Sequence, residues 1–290
     1  MRNRWFVRLL ALLGGSVVAV AQPPTGIVAT RQGEVYFTDP GAGIWKVDPT
    51  GKLSLLDSKE YRSLALDTEG TFSHASQEAY ALLTPPDAVP ALLAGDKAPV
   101  TVAQDGHVYY ANSTSSGHLE VVRLRPNGQV LVIADIAGNR KDKKQPLVNG
   151  IAAGPGNVIY LSEDHTVRQV TPRGEVSVIA GPLNNPECDS LPGLKKGQSP
   201  YLTGLAADSN GAVYAAATGC RSVFKIAPDG KISTIHKTPA PWTPAGVAIA
   251  GGNIYVLEYA YTSANKPRDW IPRVEKLTSV SVSVVATVKR

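Results

Sequence analysis

The feature that most constrains this chain is a turn that recurs along its length. Pro-x-Gly occurs as Pro49-Thr50-Gly51, Pro126-Asn127-Gly128, Pro172-Arg173-Gly174 and Pro228-Asp229-Gly230, each flanked by short alternating apolar runs. The intervals are 77, 46 and 56 residues, the first close to twice a unit of about forty. Upstream of each turn lies a second element: a Gly-apolar-Ala opening, a polar turn, then an apolar strand containing Tyr. It reads GIVATRQGEVYFTD from Gly26, GIAAGPGNVIYLSE from Gly150, GLAADSNGAVYAAA from Gly204 and GVAIAGGNIYVLE from Gly246. SLALDTEGTFSHA from Ser63 and PVTVAQDGHVYYAN from Pro99 are weaker copies. The six starts are separated by 37, 36, 51, 54 and 42 residues, a period that marks a repeat array.

Each copy reads as four short strands. In the fourth copy they are Gly150 to Ala153, Val158 to Ser162, Val167 to Thr171 and Val176 to Ala180, joined by turns rich in Asn, Asp and Gly. Val, Ile and Tyr dominate, and no stretch keeps a 3.6-residue period long enough to argue for a helix. Four-stranded units of this length, arranged radially, are propeller blades. The expected fold is therefore all-β, a six-bladed β-propeller of four-stranded antiparallel blades. The 27 Gly and 22 Pro punctuate those blades, and 43% hydrophobic against 18% charged residues excludes a disordered chain. The chain opens on an inner strand and closes on an outer one, Ser281 to Val288. That order predicts no strand exchange between the termini, with closure by face-to-face packing of the first and sixth blades.

The formal charge of +5 invites a nucleic-acid reading, but much of it lies in the first residues. Arg2, Arg4 and Arg8 precede an uncharged apolar run from Leu9 to Val20, which ends in Ala19-Val20-Ala21. This is the pattern of a secretory signal peptide with cleavage after Ala21, too short to span a bilayer. The expected organisation is thus a signal peptide, 1–21, and one propeller domain, 22–290. Removing three Arg leaves a charge of +2, so the mature chain is expected in the periplasm or outside the cell, with no integral membrane segment and no nucleic-acid partner. Export places Cys188 and Cys220 in an oxidising compartment, and a disulfide between them is the expectation. Closing that loop would contribute roughly 3.5–4 kcal/mol by restricting the unfolded chain. The expected oligomeric state is a monomer.

The copies from Gly204 and Gly150 resemble NHL repeats, which share the six-bladed form with the senescence-marker-protein/gluconolactonase superfamily. The resemblance covers nearly all of the mature chain. It departs at the Asn-His-Leu signature, where this sequence has Glu163-Asp164-His165-Thr166-Val167. The resemblance implies activities ranging from binding platforms to lactonases and lyases, and the fold does not choose among them. It also implies a comparison at the residue before each inner strand: Thr25, Arg62, Ala98, Asn149, Thr203 and Ala245. There the gluconolactonase-like enzymes carry a Glu in the first blade and Asn and Asp in later blades, around a divalent metal. Only Asn149 matches, and Arg62 would place a positive charge nearby.

In a propeller the second-to-third strand links open on the ligand face. At the end of the second strand the six copies carry Asp39, Ala75, Asn112, Glu163, Ala217 and Glu258. Three carboxylates and an amide in one ring could bind a cation or polar ligand, or could cap local turns. His74, His118, His165 and His236 map near this face and His107 to the opposite one. Their spacing matches no metal motif. Long links fall here too: a basic loop around Arg140, Lys141, Lys143 and Lys144; a second with Lys195 and Lys196; and a third from Glu258 to Arg273 that includes Tyr259, Tyr261, Arg268, Asp269 and Trp270. Aromatic surfaces mixed with charge suit a carbohydrate or peptide.

These readings give a leading expectation and a rival. The first is a module that binds a small molecule, carbohydrate or protein through Asp39, Arg62, Asn112, Asn149, Glu163, His165, Glu258, Arg268 and Trp270. The rival is a metal-dependent lactonase, hydrolase or lyase with calcium or zinc in the central channel near Asn149, Glu163 and Glu258. A basic rim for anionic polymers is a third expectation.

Overall fold

The computed structural model describes residues 24–70, 80–84, 88–96, 98–114, 118–136, 148–163, 165–181, 183, 201–260 and 269–289. The predicted signal peptide, His74, Ala75, Cys188, Arg268 and the basic residues from Arg140 to Lys144 lie outside this set, as do Lys195 and Lys196. The described residues form six antiparallel sheets in chain order and no α-helix.

Blade 1 is β1 (Ile27–Ala29), β2 (Val35–Asp39), β3 (Gly43–Val47) and β4 (Leu53–Asp57). Blade 2 contains β5 (Ser63–Asp67), β6 (Ala81–Leu82) and β7 (Ala91–Gly95). Blade 3 is β8 (Val100–Val102), β9 (Val108–Ser113), β10 (Leu119–Leu124) and β11 (Val130–Asp135). Blade 4 is β12 (Val148–Ala153), β13 (Ile159–Glu163), β14 (Thr166–Val170) and β15 (Val176–Ala180). Blade 5 is β16 (Leu202–Ala207), β17 (Val213–Ala217), β18 (Ser222–Ile226) and β19 (Ile232–Lys237). Blade 6 is β20 (Trp242–Ala250), β21 (Asn253–Ala260), β22 (Ile271–Leu277) and β23 (Val282–Thr287). The strands expected in the fourth copy therefore form within two residues of their predicted bounds.

Blade 2 departs from the repeat. Among the described residues it has three strands in the order β5-β7-β6, so β7 pairs with the inner strand where the repeat places the strand leading to Ala75. The reason is apolarity. A strand in this position is covered on both faces, and every residue of β7, ALLAG, is buried.

Period-two alternation builds the core. In β2, Tyr36 packs with Tyr61 and Leu64 of blade 2, whereas Phe37 and Val35 pack with Tyr255 and Leu257 of blade 6. Each of the six seams between neighbouring blades holds such a cluster. The first and last sheets are each made of consecutive strands, so the termini exchange none. Closure comes from packing instead: Ile27, Val35, Phe37 and Val47 meet Tyr259, Trp270 and Val274, and the Tyr259 hydroxyl donates to the Thr38 carbonyl at 2.6 Å.

The Gly of the Gly-apolar-Ala opening has a steric role on the axis. A Cβ on Gly204 would stand 2.7 Å from the Gly246 Cα and 2.8 Å from the Ala245 carbonyl, both of them backbone. One on Gly26 would stand 3.0 Å from the Leu64 nitrogen. The inner strands thereby approach closely enough that the axial cavity measures only about 30 Å³, room for a water or two. Its lining includes Gly26, Ser63, Leu64, Gly150, Gly204 and Val247.

Candidate functional site

Antiparallel pairing puts the start of each inner strand beside the end of the second strand: Val148 faces Glu163, Leu202 faces Ala217 and Pro244 faces Glu258. Both predicted rings therefore lie at one mouth of the propeller. Their chemistry differs.

Apart from Arg62, which is exposed, the ring on the axis is uncharged, and its polar members are hydrogen-bonded. The Asn149 amide donates to the Leu202 carbonyl at 2.9 Å, and its oxygen accepts from the Tyr201 hydroxyl at 3.1 Å. Thr25 donates to the Asn149 carbonyl at 3.4 Å. Thr203 lies 2.7 Å from the Thr218 hydroxyl, and Thr218 in turn donates to the Pro244 carbonyl at 2.8 Å. Ser162 closes another seam by donating to the Thr203 carbonyl at 2.5 Å. Hydroxyls, alanines, Arg62 and one committed amide, Asn149, thus stand at the positions where the resemblance places a Glu and further Asn and Asp. Those residues do not fit a divalent ion on the axis.

The outer ring places each acid against a partner. Asp39 accepts from the Gly41 amide at 2.9 Å and from the Trp45 indole at 3.0 Å. Glu163, 3% exposed, accepts from Arg168 at 2.7 Å. Asn112 donates to Glu120 at 3.3 Å near the surface. Arg62 is exposed at the mouth and His165 is half-buried. His118 pairs with Asp135 at 2.7 Å on the surface, and His107 with Asp105 at 3.0 Å at the other end of the propeller. Trp270, expected as a stacking surface, is 3% exposed and packs edge-on against Tyr259 with ring centroids 6.1 Å apart. Cys220 lies in the short turn after β17.

Glu258 belongs to a larger assembly. Along β21, Leu257 and Tyr259 face blade 1, so Val256 and Glu258 face blade 5. Along β22 the same alternation sends Val274 to blade 1, and Arg273, Glu275 and Leu277 to blade 5. His236 and Thr238 approach from the outer edge of blade 5. Arg273 donates from Nε to Glu258 Oε2 at 2.6 Å, and its Nη2 lies 2.7 Å from Glu275 Oε1. One guanidinium thereby holds two carboxylates. Their other oxygens turn toward His236: Nε2 lies 3.1 Å from Glu275 Oε2 and 3.5 Å from Glu258 Oε1. Thr238 donates to Glu258 Oε1 at 2.6 Å, and the half-buried Trp242 ring lies 4.2 Å from the Arg273 guanidinium carbon.

Burial makes this grouping expensive. The side chains of Glu258, Glu275 and His236 are 0%, 7% and 9% exposed. Although they lie within ion-pair distance, His236 Nε2, Glu275 Oε2 and Arg273 Nη2 are buried without a correctly aligned hydrogen bond. Burial, and then repulsion from Glu258, raise the Glu275 carboxyl above its usual pKa, while Arg273 and His236 pull it partly back. Buried polar atoms are almost always paired, so several unaligned ones in one place mark a site. The seam holds two carboxylates and one guanidinium, a formal charge of −1 when the imidazole is neutral.

Arg273 and Glu275 were not singled out in the sequence. Their signal is modest: Arg273-Val274-Glu275 puts two charges at alternate positions of a strand that is covered on both faces, and Glu258 stands opposite Arg273 in the sheet.

Comparison with solved structures returns propellers. A luciferin-regenerating enzyme is 13% identical, with a TM-score of 0.57 over 92% of this chain and 95% of that one. Virginiamycin B lyase from Staphylococcus aureus, solved with quinupristin, is 14% identical, with a TM-score of 0.54 over 92% and 85%. A calcium-binding regucalcin from Agrobacterium tumefaciens is 12% identical, with a TM-score of 0.53 over 83% and 84%. These likenesses establish the fold. No curated protein matches the sequence significantly. The sequence model of the family described as SMP-30/Gluconolactonase/LRE-like region matches residues 23–257. Spanning most of the propeller, that match shows that the chain belongs to the SMP-30/gluconolactonase/LRE-like family.

Proposed function

We propose that the protein is a hydrolase or lyase acting on a polar small molecule, a lactone or ester, with its acid–base centre at the seam of blades 5 and 6. The observation that carries this reading is the convergence of His236, Glu258 and Glu275 on one buried point, with aligned hydrogen bonds missing at two of them. Family membership supports the reaction class, and the narrow axis, without carboxylates among its lining, favours the seam over the channel.

The residues have separable roles. His236 Nε2 accepts a proton from water, or from the carbon next to a carbonyl. Glu275, whose protonated form burial favours, gives its own proton to the leaving oxygen and is reprotonated by the His236 imidazolium 3.1 Å away. Arg273 positions both carboxylates by direct pairing. The test is turnover of a panel of lactones, aryl esters and cyclic esters by the mature chain. His236→Ala is expected to lower kcat/KM at least about 100-fold. Unchanged turnover in that variant removes the seam from the reaction. Binding without turnover across the panel returns the protein to the binding-module reading, with a carbohydrate or protein as partner.

We also propose that the chain is exported as a monomer, with cleavage after Ala21 and a Cys188–Cys220 disulfide. No helix among the described residues is long and apolar enough to cross a membrane. N-terminal sequencing and non-reducing mass measurement of protein secreted from a host test these points.

A further inference from the structure

We infer that the seam of blades 5 and 6 is a divalent metal site, with His236 Nε2, Glu258 Oε1 and Glu275 Oε2 as its protein ligands. This rests on the reading of the seam as a functional site and adds the group it would hold; with the ion bound, the His236 Nε2 lone pair is a ligand and no longer the proton acceptor. It places the ion away from the propeller axis, on residues other than the channel positions.

Spacing carries the argument first. The three donor atoms lie within 4.8 Å of one another, with separations of 3.1 and 3.5 Å from the imidazole nitrogen to the two carboxylates. Ligands about 2.1 Å from an ion and set at roughly 90–110° are about 3.0–3.4 Å apart. The two imidazole–carboxylate separations are close to that spacing, and the carboxylate–carboxylate one lies within 4.8 Å. The second observation is independent of spacing. His236 Nε2 and Glu275 Oε2 are buried, aimed at the same point and without aligned hydrogen-bond partners. An ion would satisfy both at once.

Arg273 does not oppose this. It occupies Glu258 Oε2 and Glu275 Oε1, the oxygens that face away from the convergence point. It thereby orients the carboxylates as an outer partner of a metal ligand does. The remaining formal charge of −1 still attracts a cation. The Thr238 hydroxyl on Glu258 Oε1 fixes that carboxylate and leaves it a second lone pair. One imidazole with two carboxylates selects zinc or manganese over calcium, which prefers an all-oxygen cage of higher coordination number. Three protein ligands also leave positions open for water or substrate.

The experiment uses the full mature chain, stripped with chelator and titrated calorimetrically with ZnCl₂, MnCl₂ and CaCl₂, no substrate present. The expected result is one Zn²⁺ per chain and much weaker Ca²⁺. Glu275→Gln and His236→Asn should each weaken Zn²⁺ at least about tenfold, and His118→Ala, at the surface pair, should leave it unchanged. Circular dichroism reports whether each variant folds. Line-broadening of the His236 ring resonances by Mn²⁺ gives a reading that needs no substitution. Absence of stoichiometric metal in the wild type overturns the inference, as does Zn²⁺ binding indifferent to both seam variants. Metal uptake without turnover leaves this inference standing and removes the enzymatic reading, whereas turnover by metal-free protein does the reverse.

Discussion

The axis and the seam of blades 5 and 6 are built from the same repeat and reach opposite electrostatic outcomes. On the axis, Asn149 and Thr203 are neutral and bonded on every side that matters, and glycines bring the inner strands together until only about 30 Å³ remains. At the seam, Glu258, Arg273, Glu275 and His236 are charged or titratable, as deeply buried, and incompletely aligned. A saturated polar network holds a fold in place. An unsaturated one at equal depth costs stability without adding rigidity, and that cost is the mark of a group kept for its chemistry.

Several substitutions would break or sharpen this contrast. The largest effect is expected for Glu258→Ala, which leaves the Arg273 guanidinium buried without its main partner and should cost about 3–5 kcal/mol in denaturant unfolding. A smaller loss would mean that water reaches the seam freely. Gly204→Ala forces a Cβ against the backbone of Gly246 and Ala245 and should cost about 1–3 kcal/mol. Gly51→Ala has open space around it but a φ of +87°, so it should cost about 1 kcal/mol, from backbone strain alone. Equal losses at the two glycines would contradict close packing on the axis. Asn149→Ala should cost about 1 kcal/mol and leave Zn²⁺ affinity at the wild-type value, because its amide is structural.

The smallest effect concerns pH. The Glu275 carboxyl is raised in the fold, so the folded protein binds its proton more tightly than the unfolded chain does. In metal-free protein that group should cost nothing while it is protonated in both states. The cost appears as pH rises from the unfolded value of 4.5 through the folded one. Stability of metal-free Glu275→Gln relative to wild type should therefore increase from pH 4 to pH 7 by a fraction of a kcal/mol to about 1 kcal/mol, read as Tm against pH. A difference that shrinks over this interval would reverse the assigned electrostatics.

Sequence alone carried the architecture because the repeat is local. Each Gly-apolar-Ala opening and Pro-x-Gly turn acts within one blade, and β15, Val176–Ala180, forms where the alternation puts it. Blade 2 escaped because its second position is filled by β7, an apolar segment that lies outside the repeated wording. The site was less legible. Glu258 stood out at a repeated position and His236 near the mouth, but Glu275 and Arg273 come from a later strand. They meet His236 only through the β21–β22 register and the packing of two blades. Trp270 shows the converse. Its neighbours suggested an exposed stacking surface, yet contact with Tyr259 across the hairpin turns it into the closure core.

Anomalous diffraction from a crystal of the protein grown with Mn²⁺ tests most directly whether the chemistry lies at the seam. The account predicts one peak within about 2.2 Å of His236 Nε2 and of a carboxylate oxygen from each of Glu258 and Glu275. A peak on the propeller axis beside Asn149, or none at the seam in a crystal saturated with the ion, would contradict it.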